Sequence, residues 1–524
     1  MSQTIVIVGG GSAGWLTAGI IAAQHSTPAN GSGTRVILLE SPDVPNLGVG
    51  EGTWPTMRDT LRRIGLSEVE FLHACDASFK QGSQFIGWRQ GEDESYYHPF
   101  TAPAGYGNVN LAAHWQASAA DVSFDEIAGA QGRVCDRWLA PKKPTMPEYA
   151  FSLNYGYHLN AGKFVALLQQ HCVEKLGVEH CLGHVERIVS HDNGDIAGLT
   201  LASGESINGD FFVDCTGFTA LLIGQHYEIP FVSQRERLFN DTALAVQAEY
   251  AAEDAPIASV TKATAQSAGW IWDIALPSRR GIGYVFSSEH TTLGEAEEAL
   301  AAYLQADPHL AAEQPSPRMI RFQPGHRDVF WHKNCVAVGV SAGFVEPLEA
   351  TALILIEKSA EWISEQLPRD RAAMAVVARR FNEITRQHWA AIIDFLKLHY
   401  ALTRRVDSGY WRDHCAAESM TDSLMESLSL WKTQAPWLFE TNYRIELFTA
   451  ASLQYVLYGM GFKTDVESGR FRQWSREEKV AQRLIREGSV QAETLIASLP
   501  SNRELLDQVR EAYQARLATG TTSS

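Results

Sequence analysis

The hydrophobic pattern opens on a β-branched run, Thr4 to Val8, of the kind that forms a strand buried on both faces. Gly9-Gly10-Gly11-Ser12-Ala13-Gly14 follows, and then a helical stretch from about Ala13 to Gln24. After a loop rich in Gly, Ser, Asn and Pro comes a second strand, Arg35 to Glu40, which ends in an acid. This predicts a βαβ unit. Residues 4–24 are nearly all apolar and superficially resemble a signal peptide or a membrane span. No positive residue precedes them and five glycines interrupt them, which favours strand, turn and packed helix.

Further along, Gly209 to Gly217 (GDFFVDCTG) reads as strand then turn, and Asn334 to Gly339 (NCVAVG) as another strand. Phe344-Val345-Glu346-Pro347-Leu348-Glu349 leads into a helical pattern that runs to about Ile363. Between about 225 and 325 the pattern alternates, as in Thr242–Tyr250 and Gly283–Ser287, and predicts a mostly antiparallel sheet. Beyond about 370 the spacing is helical through Gln514, with a frayed tail at 519–524. The fold expected is α/β. A doubly wound, Rossmann-like nucleotide domain over 1–370 carries the inserted antiparallel sheet at about 225–325, and a helical region over 371–524 completes the substrate pocket.

The glycines give the first unit its chemistry. Gly9, Gly11 and Gly14 form GxGxxG between strand and helix. Gly9 permits the tight turn, Gly11 lets backbone approach a pyrophosphate, and Gly14 lets helix and strand pack closely, with the helix N-terminus facing phosphate charge. Glu40, 26 residues past Gly14 and slightly beyond the usual spacing, is the candidate acid for ribose hydroxyls. The distant strand-and-turn returns suit FAD better than NAD. No second GxGxxG is present, so no built-in pyridine-nucleotide domain is expected.

Composition narrows the partners. The 524 residues are 45% hydrophobic and 20% charged, with 44 basic against 61 acidic residues and a net charge of −17. Binding to nucleic acid or an anionic membrane surface needs a basic face, and the pairs Arg279–Arg280 and Arg404–Arg405 are too short to supply one. The seven cysteines form no CxxC pair, which predicts a reduced, cytoplasmic protein. The single HxxxH, His180–His184, contains Gly183 and reads as two solvated loop histidines, so no metal is expected.

Several segments then become specific together. GxGxxG is followed directly by Trp15, Gly269 to Ile274 contains WxWxI, and Phe79-Lys80-Gln81-Gly82 is followed by Phe85 and Trp88. Leu47–Thr53 reads LGVGEGT, Phe344–Thr351 reads FVEPLEAT, and Ile393–Arg412 reads IDFLKLHYALTRRVDSGYWR. From residue 5 to about 412 the chain resembles the flavin-dependent halogenases of the tryptophan halogenase type. Three positions depart from that pattern: Ala275 stands where proline is usual, Ala350 where serine is usual, and Ala352 where glycine is usual.

The resemblance implies a halogenase in which FAD, supplied as FADH2 by a separate flavin reductase, uses O2 and chloride or bromide to give hypohalous acid. That oxidant passes through an internal channel to an electron-rich aromatic such as indole or a tryptophan-like compound. It implies catalytic roles for Lys80 and Glu349, and FAD contacts at Gly9, Gly11, Ser12, Ala13, Gly14, Glu40, Gly50, Glu51 and Gly339. It further implies halide at Thr351 and Ala352, and substrate contacts at His98, Phe100, Trp270 and Trp272. Lys80 acts either as a haloamine or as a hydrogen-bond donor that steers the oxidant. Plainer readings stand beside these: a surface lysine at 80, a helix-terminal charge at 346 or 349, core tryptophans at 270 and 272, and an aromatic loop at 96–100. The tyrosines and acid that would grip a free amino acid are sought in Ser452–Gly461 (SLQYVLYGMG) without a clear counterpart. The rival functions are a single-component flavin monooxygenase and a non-catalytic FAD-binding protein.

Overall fold

A computed structural model describes residues 3–25, 33–43, 50–91, 94–118, 122–440, 447–465 and 474–519. Part of the loop after the first helix, Leu47–Val49 of the LGVGEGT segment, and residues 520–524 of the expected tail lie outside them. The chain divides into two compact units. One comprises residues 1–77, 159–234 and 323–387, and the other residues 78–158, 235–322 and 388–524.

The first unit is built on β1 (Thr4–Val8), α1 (Ser12–His25), β2 (Arg35–Glu40), α2 (Met57–Ile64), β3 (Glu179–Leu182), β4 (Phe211–Asp214), β5 (Trp331–His332), β6 (Cys335–Ala337) and α3 (Thr351–Glu365). Its sheet has the order β5-β6-β4-β1-β2-β3, parallel throughout except for the short β5. β1 lies inside this sheet, so Ile5 to Val8 are all buried, which is why the run lacks polar alternation. α1 is buried continuously from Gly14 to Ala22 and packs on α3 and on the helix Ala161–Glu174. A helix covered on all sides carries apolar residues on all sides, and this accounts for the membrane-like stretch at 4–24. Among the described residues no helix is long and apolar enough to cross a membrane.

The second unit is built on a seven-stranded sheet. Its order is Arg318–Arg321, Thr242–Glu249, Arg279–Phe286, Gly269–Ala275, Thr261–Gln266, Gly82–Ile86 and Ser95–Pro99. All neighbours are antiparallel except Thr261–Gln266 with Gly82–Ile86. Two of its strands therefore come from residues 82–99, well upstream of the alternating stretch. One face packs Leu244, Val246, Ile271 and Ile282 against Ala296 and Leu300 of the helix Leu293–Ala306. That helix starts on a capping box between Thr292 and Glu295. The helical region begins with Arg371–Ala401, within which the two compact units divide.

Candidate active site

The nucleotide cradle forms where β1 turns into α1. The Gly9 N–H donates to the Leu39 carbonyl at 2.8 Å, and Gly9 has φ +120°. A Cβ there would lie 2.2 Å from the Cys215 carbonyl oxygen, and one on Gly14 would lie 1.8 Å from that of Gly9. Neither position admits a side chain. The helix opens at Ser12 and Ala13, and Gly339 (φ +73°) returns so close that its Cβ would sit 2.7 Å from that of Ala13. Glu40 ends β2 with its carboxyl against Gly10. An α-helix of 14 residues with a side-chain-free turn before it, closed by a second glycine turn and flanked by an acid, fits the diphosphate and ribose of a dinucleotide such as FAD.

His180 lies on β3 and its Nε2 pairs with Glu40 Oε2 at 2.9 Å, with its ring edge-on to Trp15. The expectation of a solvated loop histidine is thus corrected at 180, because parallel pairing of β3 with β2 brings this side chain beside the acid. His184 follows the strand and meets Asp43 at 2.8 Å. Among the described residues no group of three or more His, Cys, Asp or Glu is placed to hold a metal. Gly50 and Glu51 lie on the short strand Gly50–Gly52. Glu51 keeps part of its surface exposed, yet its carboxyl is enclosed closely enough for burial to push its pKa up to about 7.

The sequence reading did not single out Asp214, at the end of β4. Its carboxylate accepts from the Thr216 N–H and hydroxyl at 3.0 and 2.6 Å, and from the Leu222 and Ile223 N–H groups at 2.8 Å. One buried acid thereby fixes the turn Gly217–Thr219 and the π-helical segment Leu221–His226. The quoted segment GDFFVDCTG contains it, but an acid at a strand end has many ordinary uses.

Before α3 the chain makes a tight turn. The Ala350 N–H donates to the Pro347 carbonyl at 3.1 Å, and Ala350 is left-handed at φ +53°. Helix α3 then opens at Thr351, as the sequence predicted; Thr351 is buried and Ala352 exposed. Glu349 and Glu346 are both buried, with Glu346 upstream of the first helical turn. The Trp54 indole N–H donates to the Glu349 carbonyl at 2.8 Å.

In the second unit, Lys80 closes the strand Ser78–Lys80 and is only 2% exposed, so it is not a surface lysine. Its Nζ lies 5.4 Å from the centroid of the Phe100 ring. The neighbouring strand residue His158 donates or accepts at Thr261 Oγ1 over 2.8 Å, and burial, aided by the charge of Lys80, holds its imidazole well below the usual histidine range. A net of amides joins the adjoining residue Gln81 to the Phe100 backbone. The Gln81 side chain donates to the Leu139 carbonyl, Gln131 donates to Gln81 and to the Asn154 carbonyl, and Asn154 donates to the Phe100 carbonyl. Sequence reasoning missed Gln81 and Gln131 as supports; polar residues 50 positions apart carry no sign of their pairing.

His98 is buried near Phe395 and Tyr455, at ring centroid distances of 5.7 and 6.2 Å. Trp270 and Trp272 share one face of the strand Gly269–Ala275, 6.4 Å apart. On the helix Ala450–Gly459, the Tyr455 hydroxyl donates to the Thr101 carbonyl and the Tyr458 hydroxyl pairs with Thr464. The Gln454 amide donates to Asn110 and to the Pro436 carbonyl.

The tryptophan halogenase family model matches residues 4–473. The chain is 29% identical to tryptophan 6-halogenase ThaL of Streptomyces albogriseolus, over 97% of this chain and 99% of that one. It is also 29% identical to tryptophan 7-halogenase RebH of Lentzea aerocolonigenes, over 96% and 98%. Among solved structures it is similar to the tryptophan halogenase of Shewanella frigidimarina, at 46% identity and a TM-score of 0.93, covering 97% of this chain and 98% of that one. The flavin-dependent halogenase BrvH of Brevundimonas sp. BAL3 aligns at 31% identity with a TM-score of 0.84, over 97% and 99%. With glycine cradle, buried lysine and tryptophan pair in place along a match of nearly the whole chain, the protein belongs to the tryptophan halogenase family and is a flavin-dependent halogenase.

Proposed function

We propose that this halogenase uses FADH2 from a separate flavin reductase to halogenate an electron-rich aromatic, with Lys80 as the residue that presents the oxidant to the ring. The observation that carries the reading is the burial of Lys80 beside Phe100, with hydrogen-bonded amides on the adjoining Gln81 and on the Phe100 carbonyl. A lysine is placed in such a setting at a cost, and a reaction that needs a dry, fixed nitrogen repays it. Bound FADH2 supplies, with O2, the conversion of chloride or bromide to hypohalous acid. Gly9, Gly11, Ser12, Ala13, Gly14, Glu40, Gly50, Glu51 and Gly339 would hold the cofactor.

The chain's own residues do the rest. The Thr351 and Ala352 N–H groups, at the start of α3 where no side-chain cap is made among the described residues, bind halide. Glu349 stabilises the cationic ring intermediate and takes its proton, a role suited to its buried carboxylate. His98 and Phe100 hold the ring by their faces, and Trp270 with Trp272 keeps substrate from the flavin. The Gln454 amide nitrogen and the Tyr455 and Tyr458 hydroxyls already bond to protein, which supports an indole-like substrate without an amino-acid grip. Seven free thiols, five of them buried, support a cytoplasmic setting.

The decisive experiment is mass spectrometry of an indole reaction with FAD, reductase, NADH, O2 and bromide. The expected product carries the paired bromine isotopes, and Lys80→Ala abolishes it while leaving oxidation of FADH2 by O2 intact. An oxygen-added product would instead show a monooxygenase. Bromide, less tightly hydrated than chloride, is expected to serve at least as well, which parallel assays with the two salts will show.

A further inference from the structure

The turn that carries Glu349 has a weak point. Ala350 is not glycine yet is left-handed, and nothing in its side chain favours that conformation. The peptide joining Glu349 to Ala350 leads into that left-handed residue, and the next peptide carries the Thr351 N–H that opens α3. The N–H of the first peptide, that of Ala350, is already held by the Pro347 carbonyl at 3.1 Å, so its carbonyl is the end that needs a second hold to keep the strained turn in place.

The second hold comes from Trp54. Its indole nitrogen is a donor only, and it donates to the Glu349 carbonyl at 2.8 Å, which holds that carbonyl in its direction. Trp54 is itself secured. Its carbonyl accepts from the Met57 N–H in the first turn of α2, and the Thr56 and Thr60 hydroxyls donate to Glu357 on α3. Glu357 is fully buried. The segment 54–60 thus grips α3 at Glu357, two turns in, and at the turn just ahead of its first residue. The sequence reading stopped at Thr53 and gave Trp54 no part.

We propose that Trp54 is a positioning residue for halide use: by holding the Glu349–Ala350 peptide it aims the Thr351 and Ala352 amides and the Glu349 carboxyl together. The assignment rests on the reading of those amides as the halide site.

The test is Trp54→Phe, which keeps the ring and removes the donor, with Trp54→Phe/Ala350→Gly as its partner. Bromide affinity is read directly from 81Br line broadening on the full-length protein, with and without FAD, and steady-state KM for bromide is separated from kcat. Trp54→Phe is expected to raise the bromide Kd and KM about fivefold, the scale of one hydrogen bond. FAD affinity and Tm should stay near wild type. Glycine at 350 adopts the left-handed turn without strain, so the double variant should regain much of the lost affinity. A bromide Kd within twofold of wild type in Trp54→Phe overturns the assignment. So does a parallel loss of Tm, FAD affinity and bromide affinity that Ala350→Gly does not recover, because that pattern belongs to a merely structural residue. If wild type broadens the bromide line yet yields no brominated product, the functional reading fails, while the Kd ratio still decides the role of Trp54.

Discussion

Gly283 faces Trp272 across two antiparallel strands, and a Cβ built on it would lie 2.1 Å from the indole Cζ2 and 2.7 Å from the Leu244 carbonyl oxygen. With ring on one side and backbone on the other, no small shift makes room. Gly283→Ala should destabilise the protein by about 1–3 kcal/mol, the range for overpacking a filled site, and displace Trp272. A lowered Tm together with a shifted tryptophan emission would show both effects; an unchanged emission would mean that the indole keeps its place. The pair Trp270 and Trp272 was legible because alternation on a strand puts positions two apart on one face. Their glycine partner was not, since Gly283 appears in the sequence only as a small residue in a strand-like run. Its meaning depends on a register set by the turn between Ala275 and Arg279. The same holds for Glu40 and His180. Each was noticed alone, one for ribose and one for metal spacing, and only strand pairing joins them.

At the scale of elements, α3 was foreseen to within a few residues, and its start at Thr351 follows from Pro347 and the helical spacing beyond it. Its buried acid was not foreseen. Glu357 in LILIEKSAEW reads as the polar side of an amphipathic helix, yet it turns inward to the hydroxyls of α2. Burial pushes its pKa up to about 7, against the downward pull of Thr60 and Thr56, with Glu361 raising it further and Lys358 opposing. The native state therefore holds this proton more tightly than the unfolded chain does. The stabilisation is complete below the unfolded value near 4.5 and is lost as pH rises through about 7. Over that window the change is on the order of 3 kcal/mol. Melting curves from pH 5 to 8.5 should show wild-type Tm falling with pH, and Glu357→Gln should flatten the slope and raise Tm at the alkaline end. Glu51, shifted in the same direction, should leave a residual slope. Equal slopes in wild type and Glu357→Gln would place the titration elsewhere.

For the molecule as a whole, the net charge of −17 repels the very ion the reaction consumes. Raising ionic strength with a non-halide salt shortens the reach of that repulsion to about 10 Å at 0.1 M. The apparent KM for bromide should fall accordingly, and a KM that rises instead would reveal a positive local field strong enough to outweigh the total. The glycine-led βαβ unit was readable because its parts are contiguous. The interleaving of two compact units from six stretches was not, because pairings such as Thr261 with Ser83, or Ile5 with Phe211, leave no mark in either local pattern. That interleaving bears on how the protein is made. On the ribosome, β1 and the fully covered α1 emerge long before their companions: Ile5 waits for Phe211, and Phe212 in turn for Cys335. At about 5–20 residues per second the delay is on the order of tens of seconds. Throughout it the apolar strand, with β2 on one edge only, and the helix stand largely uncovered on the nascent chain. Soluble yield should thus depend on chaperone supply and growth temperature more than on the stability of the finished protein, and soluble fractions from cells with and without added trigger factor will show it.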